Sequence, residues 1–220
     1  MRVLAVDTTT PRGSLAVVGE EGVLAEARVV TAEGHSRWLL PAIEALLRGL
    51  RVGALDLDAF AVTTGPGSFT GLRVGLSTVQ GLALASGKPC VGRAALDLLA
   101  GEAVGSAGLV VALMDAFRGE VYSAAYSGGR LTGERRVGPL AEALRGLAPG
   151  TAFVGDAVAT RAEAIRSQVE GALFPETGLF LAAALGREAL RDVTEGRAIT
   201  PALLRPLYLR GADIRVARTS

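Results

Sequence analysis

The chain has 220 residues, half of them hydrophobic and 20% charged, so it can bury one large core or two smaller ones. Its 23 basic and 22 acidic residues nearly cancel, which argues against a strongly basic surface for nucleic acid. No apolar run is long enough to span a membrane, the N-terminus lacks a signal-peptide pattern, and Cys90 is the single cysteine. We therefore expect a cytoplasmic protein without membrane contact. Asparagine is absent and Lys88 is the single lysine, a usage typical of a thermophile.

Three β-rich segments open the chain: 3–6, 14–18, and a third that follows the turn at 20–22 and runs through residue 30. Apolar periodicity then predicts a helix over 36–50, a strand over 59–63 and a helix over 70–85. The predicted order of elements is βββαβα.

The same order repeats after a stretch rich in glycine and alanine. The repeated elements are predicted at 109–113, 121–126, 131–137, 140–147, 152–154 and 158–169. Asp7 followed by Arg12 is matched by Asp115 followed by Arg118, each arginine preceding a glycine. Repetition of a whole unit predicts an α/β fold with two lobes, 1–104 and 105–220, in which the last helix can pack on the first lobe. This duplicated βββαβα arrangement resembles the actin-like (ASKHA, RNase H-like) superfamily.

A glycine-rich motif, TGPGSFTGLRVG at 64–75, joins the predicted strand to the second helix. Free N–H groups at such a junction favour a bound phosphate, although the Lys-Ser or Lys-Thr pair of a Walker loop is missing. A tight strand-to-helix turn with Thr70 as N-cap is the alternative interpretation. The candidate contacts for an anion or nucleotide are Gly65, Gly67, Ser68, Thr8 and Arg12.

The helix over 70–85 contains three glycines, and each costs about 1 kcal/mol relative to alanine inside a helix. A neighbouring helix that approaches closely would offset this cost, whether it belongs to the same chain or to a second protein. The helix over 36–50 carries more apolar side chains than one face can bury. We therefore predict that the two helices bind a partner. The predicted interface residues are Leu39, Ile43, Leu46, Gly71, Val74, Gly75 and Thr78.

Several motifs together resemble the TsaB (YeaZ) family: DTT at 7–9, HS at 35–36, LP at 40–41, the glycines of 65–75, and LYLR at 207–210. The resemblance implies a role in synthesis of threonylcarbamoyladenosine on tRNA, beside a catalytic TsaD-like paralogue and a TsaE-like ATPase. It also implies that tRNA is contacted only indirectly, that no cofactor is used, and that the isolated subunit forms a homodimer.

The TsaD-like paralogue resembles a metalloenzyme with a His-x-x-x-His pair. Here His35 is the single histidine, and the position four residues later is Leu39. We therefore expect neither a metal site nor catalytic residues. Two disfavoured alternatives are an autonomous actin-like kinase, which needs nucleotide-binding loops, and a metalloprotease-like protein, which needs a metal site. The apolar segment 201–210 is expected to pack on a lobe, and residues after Asp213 are expected to fray.

Overall fold

The structure, a computed structural model, describes residues 1–210, so the expected fraying after Asp213 lies outside the described residues. The first sheet consists of β1 (Arg2–Asp7), β2 (Arg12–Gly19), β3 (Gly22–Val30), β4 (Ala59–Gly65) and β5 (Cys90–Ala94). Its spatial order is β3-β2-β1-β4-β5. Strands β1, β2 and β3 pair antiparallel, whereas β1, β4 and β5 pair parallel. The helices of this lobe are α1 (Leu39–Gly49), α2 (Phe69–Ser86) and α3 (Ala95–Gly101). The predicted first βββαβα unit is confirmed, and β5 and α3 extend it.

The second sheet repeats this arrangement with shorter strands. Its elements are β6 (Val110–Asp115), β7 (Glu120–Ser127), β8 (Arg130–Leu131), β9 (Arg136–Pro139), α4 (Leu140–Leu144), β10 (Ala152–Val154) and α5 (Val158–Gln168). The strands lie in the order β10-β6-β7-β8, and β9 also pairs with β7. The prediction of a single strand over 131–137 is wrong, since two short strands, β8 and β9, lie there. Residues 132–135 lie between β8 and β9 outside any strand, and Arg135 pairs there with Asp97 of α3.

The two sheets and their helices form five layers. Helices α1 and α2 cover the outer face of the first sheet, and α4 and α5 cover the outer face of the second. Between the sheets lie α3 and the last helix, α6 (Ala182–Thr194), whose bounds the sequence pattern did not give. Although α6 follows the second sheet in the chain, it packs against β1 and β2. None of the helices within residues 1–210 is long and apolar enough to cross a membrane.

The segment after α6 returns to the first lobe, as the sequence predicted. Leu204 is buried, and the Gln80 side chain donates hydrogen bonds to the carbonyls of Pro201 and Leu204. The N–H of Leu207 donates to the carbonyl of Thr64 at 2.7 Å. The segment is therefore held by backbone hydrogen bonds at the end of β4.

Gly186 sets the distance between α6 and the first sheet. A Cβ atom at this position would lie 2.3 Å from Cγ2 and 3.0 Å from Cβ of Val18. We predict that Gly186→Val destabilises the fold by about 1–3 kcal/mol, because α6 must move away from β2. Thermal unfolding, monitored by circular dichroism, measures the loss of stability. The matched control is Gly101→Ala in α3, where a Cβ would meet nothing within 4 Å. Equal midpoints for the two variants would contradict the close packing of α6.

Candidate functional site

The carboxyl group of Asp7, at the end of β1, is fully buried beside the seam between the lobes. Its Oδ1 accepts hydrogen bonds from the hydroxyls of Thr9 and Thr63, both at 2.7 Å, and from the N–H of Thr9 at 3.1 Å. Its Oδ2 has no hydrogen-bond partner among the described residues. Burial raises the pKa of Asp7, and the hydrogen bonds and the nearby His35 only partly oppose this rise.

The glycine-rich motif presses the start of α2 against the turn that follows Asp7. A Cβ at Gly67 would lie 2.3 Å from the carbonyl oxygen of Thr9, and a Cβ at Gly71 would lie 2.1 Å from that of Thr8. A Cβ at Gly75 would lie 2.3 Å from Oγ1 of Thr8. Only glycine permits this approach, so these glycines are required for packing inside the lobe.

Most groups in the predicted anion site are engaged within the protein. Thr8 is fully buried and donates its hydroxyl to the carbonyl of Gly71 at 2.8 Å, so this hydroxyl is engaged within the lobe. Gly65 is also buried, and a Cβ atom on Gly65 would lie 2.7 Å from the carbonyl oxygen of Leu207. Ser68 caps α2 by accepting a hydrogen bond from the N–H of Gly71, so Ser68, not Thr70, is the N-cap.

Gly67, Ser68 and Arg12 are half-buried, and an anion contact at these three residues stays a prediction. Together they keep one guanidinium and part of a loop accessible at the seam. The set of five residues is therefore not a preformed phosphate cradle.

His35 holds the first turn through both of its ring nitrogens. Its Nε2–H donates to the carbonyl of Thr10 at 2.9 Å, and its Nδ1 accepts from the indole N–H of Trp38 at 3.1 Å. Burial lowers the pKa of His35. A Cβ at Gly13 would lie 2.3 Å from the Trp38 ring, so the pair covers β2 tightly. His35 therefore has a packing role in this lobe.

The second lobe places the carboxyl group of Asp156 near Arg12. Asp156 accepts a hydrogen bond from the N–H of Asp115 at 3.1 Å. Burial raises the pKa of Asp156, the nearby Asp115 adds to the rise, and the positive charge of Arg12 opposes it. Gly155 lies against the carbonyl of Leu113, where a Cβ would be only 2.1 Å away. Within residues 1–210, no cluster of three or more His, Cys, Asp or Glu side chains has the geometry to hold a metal ion.

The predicted partner interface requires correction. Leu39 and Ile43 face the first sheet and are 1% and 3% exposed, and Gly71 and Gly75 are buried against Thr8. The lobe itself covers these four residues, because α1 packs on β2 and β3 and Thr8 lies against Gly71 and Gly75. Leu46, Val74 and Thr78 are half-buried, and their role at an interface stays a prediction.

The outer faces of α1 and α2 remain uncovered. On α1, Leu40 is 55% exposed and Ala45 is also exposed. On α2, Leu84 is 65% exposed, and Ser77, Gly81 and Ala85 are exposed beside it. A Cβ at Gly81 would meet nothing within 4 Å, so nothing in the described chain explains this helical glycine.

Known proteins resemble this chain in both sequence and structure. The family model for TsaD, tRNA N6-adenosine threonylcarbamoyltransferase, matches residues 22–196. An uncharacterized protein of Mycobacterium tuberculosis is 37% identical over 153 residues, 69% of each chain. The crystal structure of YeaZ from Pseudomonas aeruginosa superposes with a TM-score of 0.79 at 30% identity, covering 94% of this chain and 99% of that one. The chain belongs to the TsaB (YeaZ) family.

A further family member with a stated role is the tRNA threonylcarbamoyladenosine biosynthesis protein TsaB of Escherichia coli. It is 38% identical over 128 residues, which is 57% of this chain and 55% of that protein. The family resemblance and the actin-like fold predicted from the sequence are thus confirmed. What the sequence missed is a cavity between the lobes that contains Phe69, Phe117 and Tyr208. The sequence pattern did not reveal this cavity, because the aromatic residues that line it are far apart in the chain.

The buried Asp7 carboxyl should make stability depend on pH. The pKa of Asp7 is higher in the folded chain than in the unfolded chain, so the unfolded chain loses this proton first as pH rises. Ionisation of Asp7 therefore favours the unfolded chain, and the free energy of unfolding falls as pH rises from 3.8 to the folded-state pKa. We predict that Asp7→Asn loses this dependence. The free energy of unfolding of the wild type should then fall relative to that of the variant as pH rises, by at most about 1.4 kcal/mol per pH unit.

Urea unfolding of both proteins across this pH range measures the difference. His35 gives the opposite sign, since its lowered pKa weakens the fold as pH falls below 6.5. The Asp7 charge raises the pKa of His35, so Asp7→Asn also changes the His35 contribution, and the comparison is repeated in a His35→Gln background. A difference that stays constant with pH would show that Asp7 is not held as a buried acid.

Proposed function

We propose that this chain is the non-catalytic subunit of a cytoplasmic assembly that makes threonylcarbamoyladenosine on tRNA. It binds and supports a catalytic TsaD-like paralogue and works with a TsaE-like ATPase, while tRNA contacts it only indirectly. The name of the Escherichia coli relative and the match to the transferase family model support this role.

One observation carries the proposal: polar groups at the seam hold the first lobe together. Both oxygens of Asp7 are buried, and both nitrogens of His35 are hydrogen-bonded. The Thr8 hydroxyl is bonded to the backbone of α2. A catalyst needs such groups free to meet a substrate, whereas a supporting subunit needs a rigid lobe.

The docking surface that we propose is the outer face of α1 and α2. Leu40 and Leu84 supply exposed apolar area, and Gly81 lets a second backbone approach closely. Half-buried Leu46, Val74 and Thr78 retain their proposed place at this surface. On α2 this surface lies away from the buried Gly71 and Gly75.

The occupant that we propose is a paralogue with the same fold, because its own α1 and α2 would present an equivalent face. Two helices from each subunit would form a four-helix contact with pseudo-twofold symmetry. The same face would pair two copies of this chain when the paralogue is absent. Homodimer and heterodimer therefore compete for one surface.

Gly81 and Gly75 provide a matched pair for testing this surface. We predict that Gly81→Leu leaves the isolated subunit at least as stable, since leucine favours a helix by about 0.8 kcal/mol over glycine and has open space here. Co-purification with the TsaD-like paralogue and the homodimer seen by light scattering should both be lost. Gly75→Leu should instead lower the thermal midpoint, because Thr8 and Val62 occupy its space.

Survival of both assemblies in Gly81→Leu would place the docking surface elsewhere. The two midpoints are compared at a dilution where light scattering shows only monomers, because loss of a dimer lowers the midpoint by itself. A lower midpoint for the Gly81→Leu monomer would mean that α2 is covered within the subunit.

The purified chain alone should transfer no threonylcarbamoyl group to tRNA, because its histidine and buried aspartate are engaged in packing. The assay supplies an activated threonylcarbamoyl compound that is radiolabelled in its threonine portion and carries a leaving group, and it measures the label transferred to tRNA. Addition of the TsaD-like paralogue should give product, and the Gly81→Leu subunit should not support it. Turnover by the chain alone that His35→Ala abolishes would refute a non-catalytic role.

A further inference from the structure

A cavity of about 470 Å³ lies where the two lobes meet, and no role has so far been given to it. Residues 66–73 at the start of α2 form one wall, and the β6–β7 turn forms another. Residues 207–210 form a third wall. The volume falls within the range of ligand-binding clefts.

Aromatic side chains are concentrated in this cavity. Of the six phenylalanines, three tyrosines and one tryptophan in the chain, Phe69, Phe117, Tyr122 and Tyr208 line it. Phe69, Phe117 and Tyr208 are 47%, 60% and 44% exposed, respectively. Large rings from both lobes are thus turned toward solvent at one place, which marks an interaction site more strongly than scattered exposed residues would.

The cavity also carries positive charge. The Arg73 guanidinium lies 3.8 Å from the centre of the Phe69 ring, and its Nε donates to the Tyr208 hydroxyl at 3.4 Å. Arg210 is paired with Glu120, so Arg73 is the more available cation. Among the described lining residues there is no carboxylate. The N-terminus of the long helix α2 adds its positive dipole end to the same wall.

The turn that carries Phe117 has an unfavourable backbone conformation. Phe117 and Arg118 have φ angles of 61° and 53°, in the left-handed region that bulky residues avoid. The ring gains little from burial in return, since most of it is exposed. Such strain is typical of positions kept for binding.

We propose that this cavity docks a short acidic segment of a partner protein that carries a phenylalanine or leucine. The apolar side chain enters between Phe69 and Phe117, and a neighbouring carboxylate meets Arg73 and the start of α2. Aromatic residues and arginine are the types enriched at the centres of protein interfaces. The site is separate from the outer face of α1 and α2, so it can be tested whether or not that surface binds a paralogue.

The direct test titrates the full-length chain into a fluorescein-labelled synthetic peptide, Gly-Asp-Phe-Glu-Leu-Asp-Gly. Fluorescence anisotropy of the peptide measures binding. Saturable one-to-one binding is expected. A peptide with lysine at each acidic position should bind at least about tenfold more weakly, because the cavity offers only positive charge. Labelled oligouridylate serves as the nucleic-acid probe and should also bind more weakly, since the cavity presents few phosphate contacts.

Three variants assign binding to the cavity. Phe117→Gly removes a ring and also relieves the left-handed backbone, so it should lose about tenfold or more in affinity without loss of thermal stability. Phe69→Ala should lose a similar factor. Arg73→Gln should weaken binding of the acidic peptide and strengthen binding of the lysine peptide, because it removes the positive charge that attracts one and repels the other.

The matched controls lie outside the cavity. Arg166 lies over Phe174 at 4.6 Å in the second lobe, so Arg166→Gln removes an equivalent arginine–phenylalanine contact. Leu55 is 70% exposed and serves as the apolar control, Leu55→Ala. Neither change should alter peptide affinity.

Four results would overturn the proposal: no saturable binding of the acidic peptide, equal binding of the lysine peptide, unchanged affinity in Phe117→Gly and Phe69→Ala, or tighter binding of oligouridylate. A homodimer lost in Phe117→Gly by light scattering would also overturn it, since a second copy would then be the occupant. Loss of paralogue binding in Gly81→Leu with the peptide still bound would separate this site from the proposed function.

Discussion

The close approach of α2 to the turn after β1 is the contact on which the first lobe depends. At Gly71 and Gly75 the helix backbone lies so near Thr8 that no Cβ could fit, and the Thr8 hydroxyl is bonded to the Gly71 carbonyl. This contact places α2 directly over the end of β1. Asp7 is thereby enclosed with Thr63. The glycines that resemble a ligand-binding loop thus serve to fit a helix against a strand.

This packing explains why function should lie on surfaces. The Asp7 carboxyl, the His35 ring and the Thr8 hydroxyl are buried within the first lobe, and the main apolar surfaces left accessible are the outer face of α1 and α2 and the aromatic cavity. Both features suit protein partners, because apolar and aromatic side chains gain most from exclusion of water. A family member that supports a catalytic subunit needs such surfaces more than it needs reactive groups.

The two lobes are joined firmly enough to act as a rigid platform. Helices α3 and α6 fill the space between the sheets, and Asp97 of α3 accepts hydrogen bonds from Tyr126 at 2.6 Å and from Arg135. At the far end of the chain, Arg210 donates to the carbonyl of Ala116 and pairs with Glu120 of the second lobe. These contacts connect the lobes on either side of the cavity, so the two walls face one another in the folded chain.

The sequence by itself determined the order of most elements, the duplication and the family. These follow from local patterns: apolar periodicity, turns marked by glycine and proline, and the motif at 65–75. Only the tertiary structure decided which neighbour covers each face. Gly75 and Gly81 lie in one helix, yet Thr8 fills the space beside the first and nothing fills the space beside the second. Likewise Leu39 is buried and Leu40 is exposed. An amphipathic pattern shows that a face is apolar, but which sheet or partner covers it depends on segments far apart in the chain.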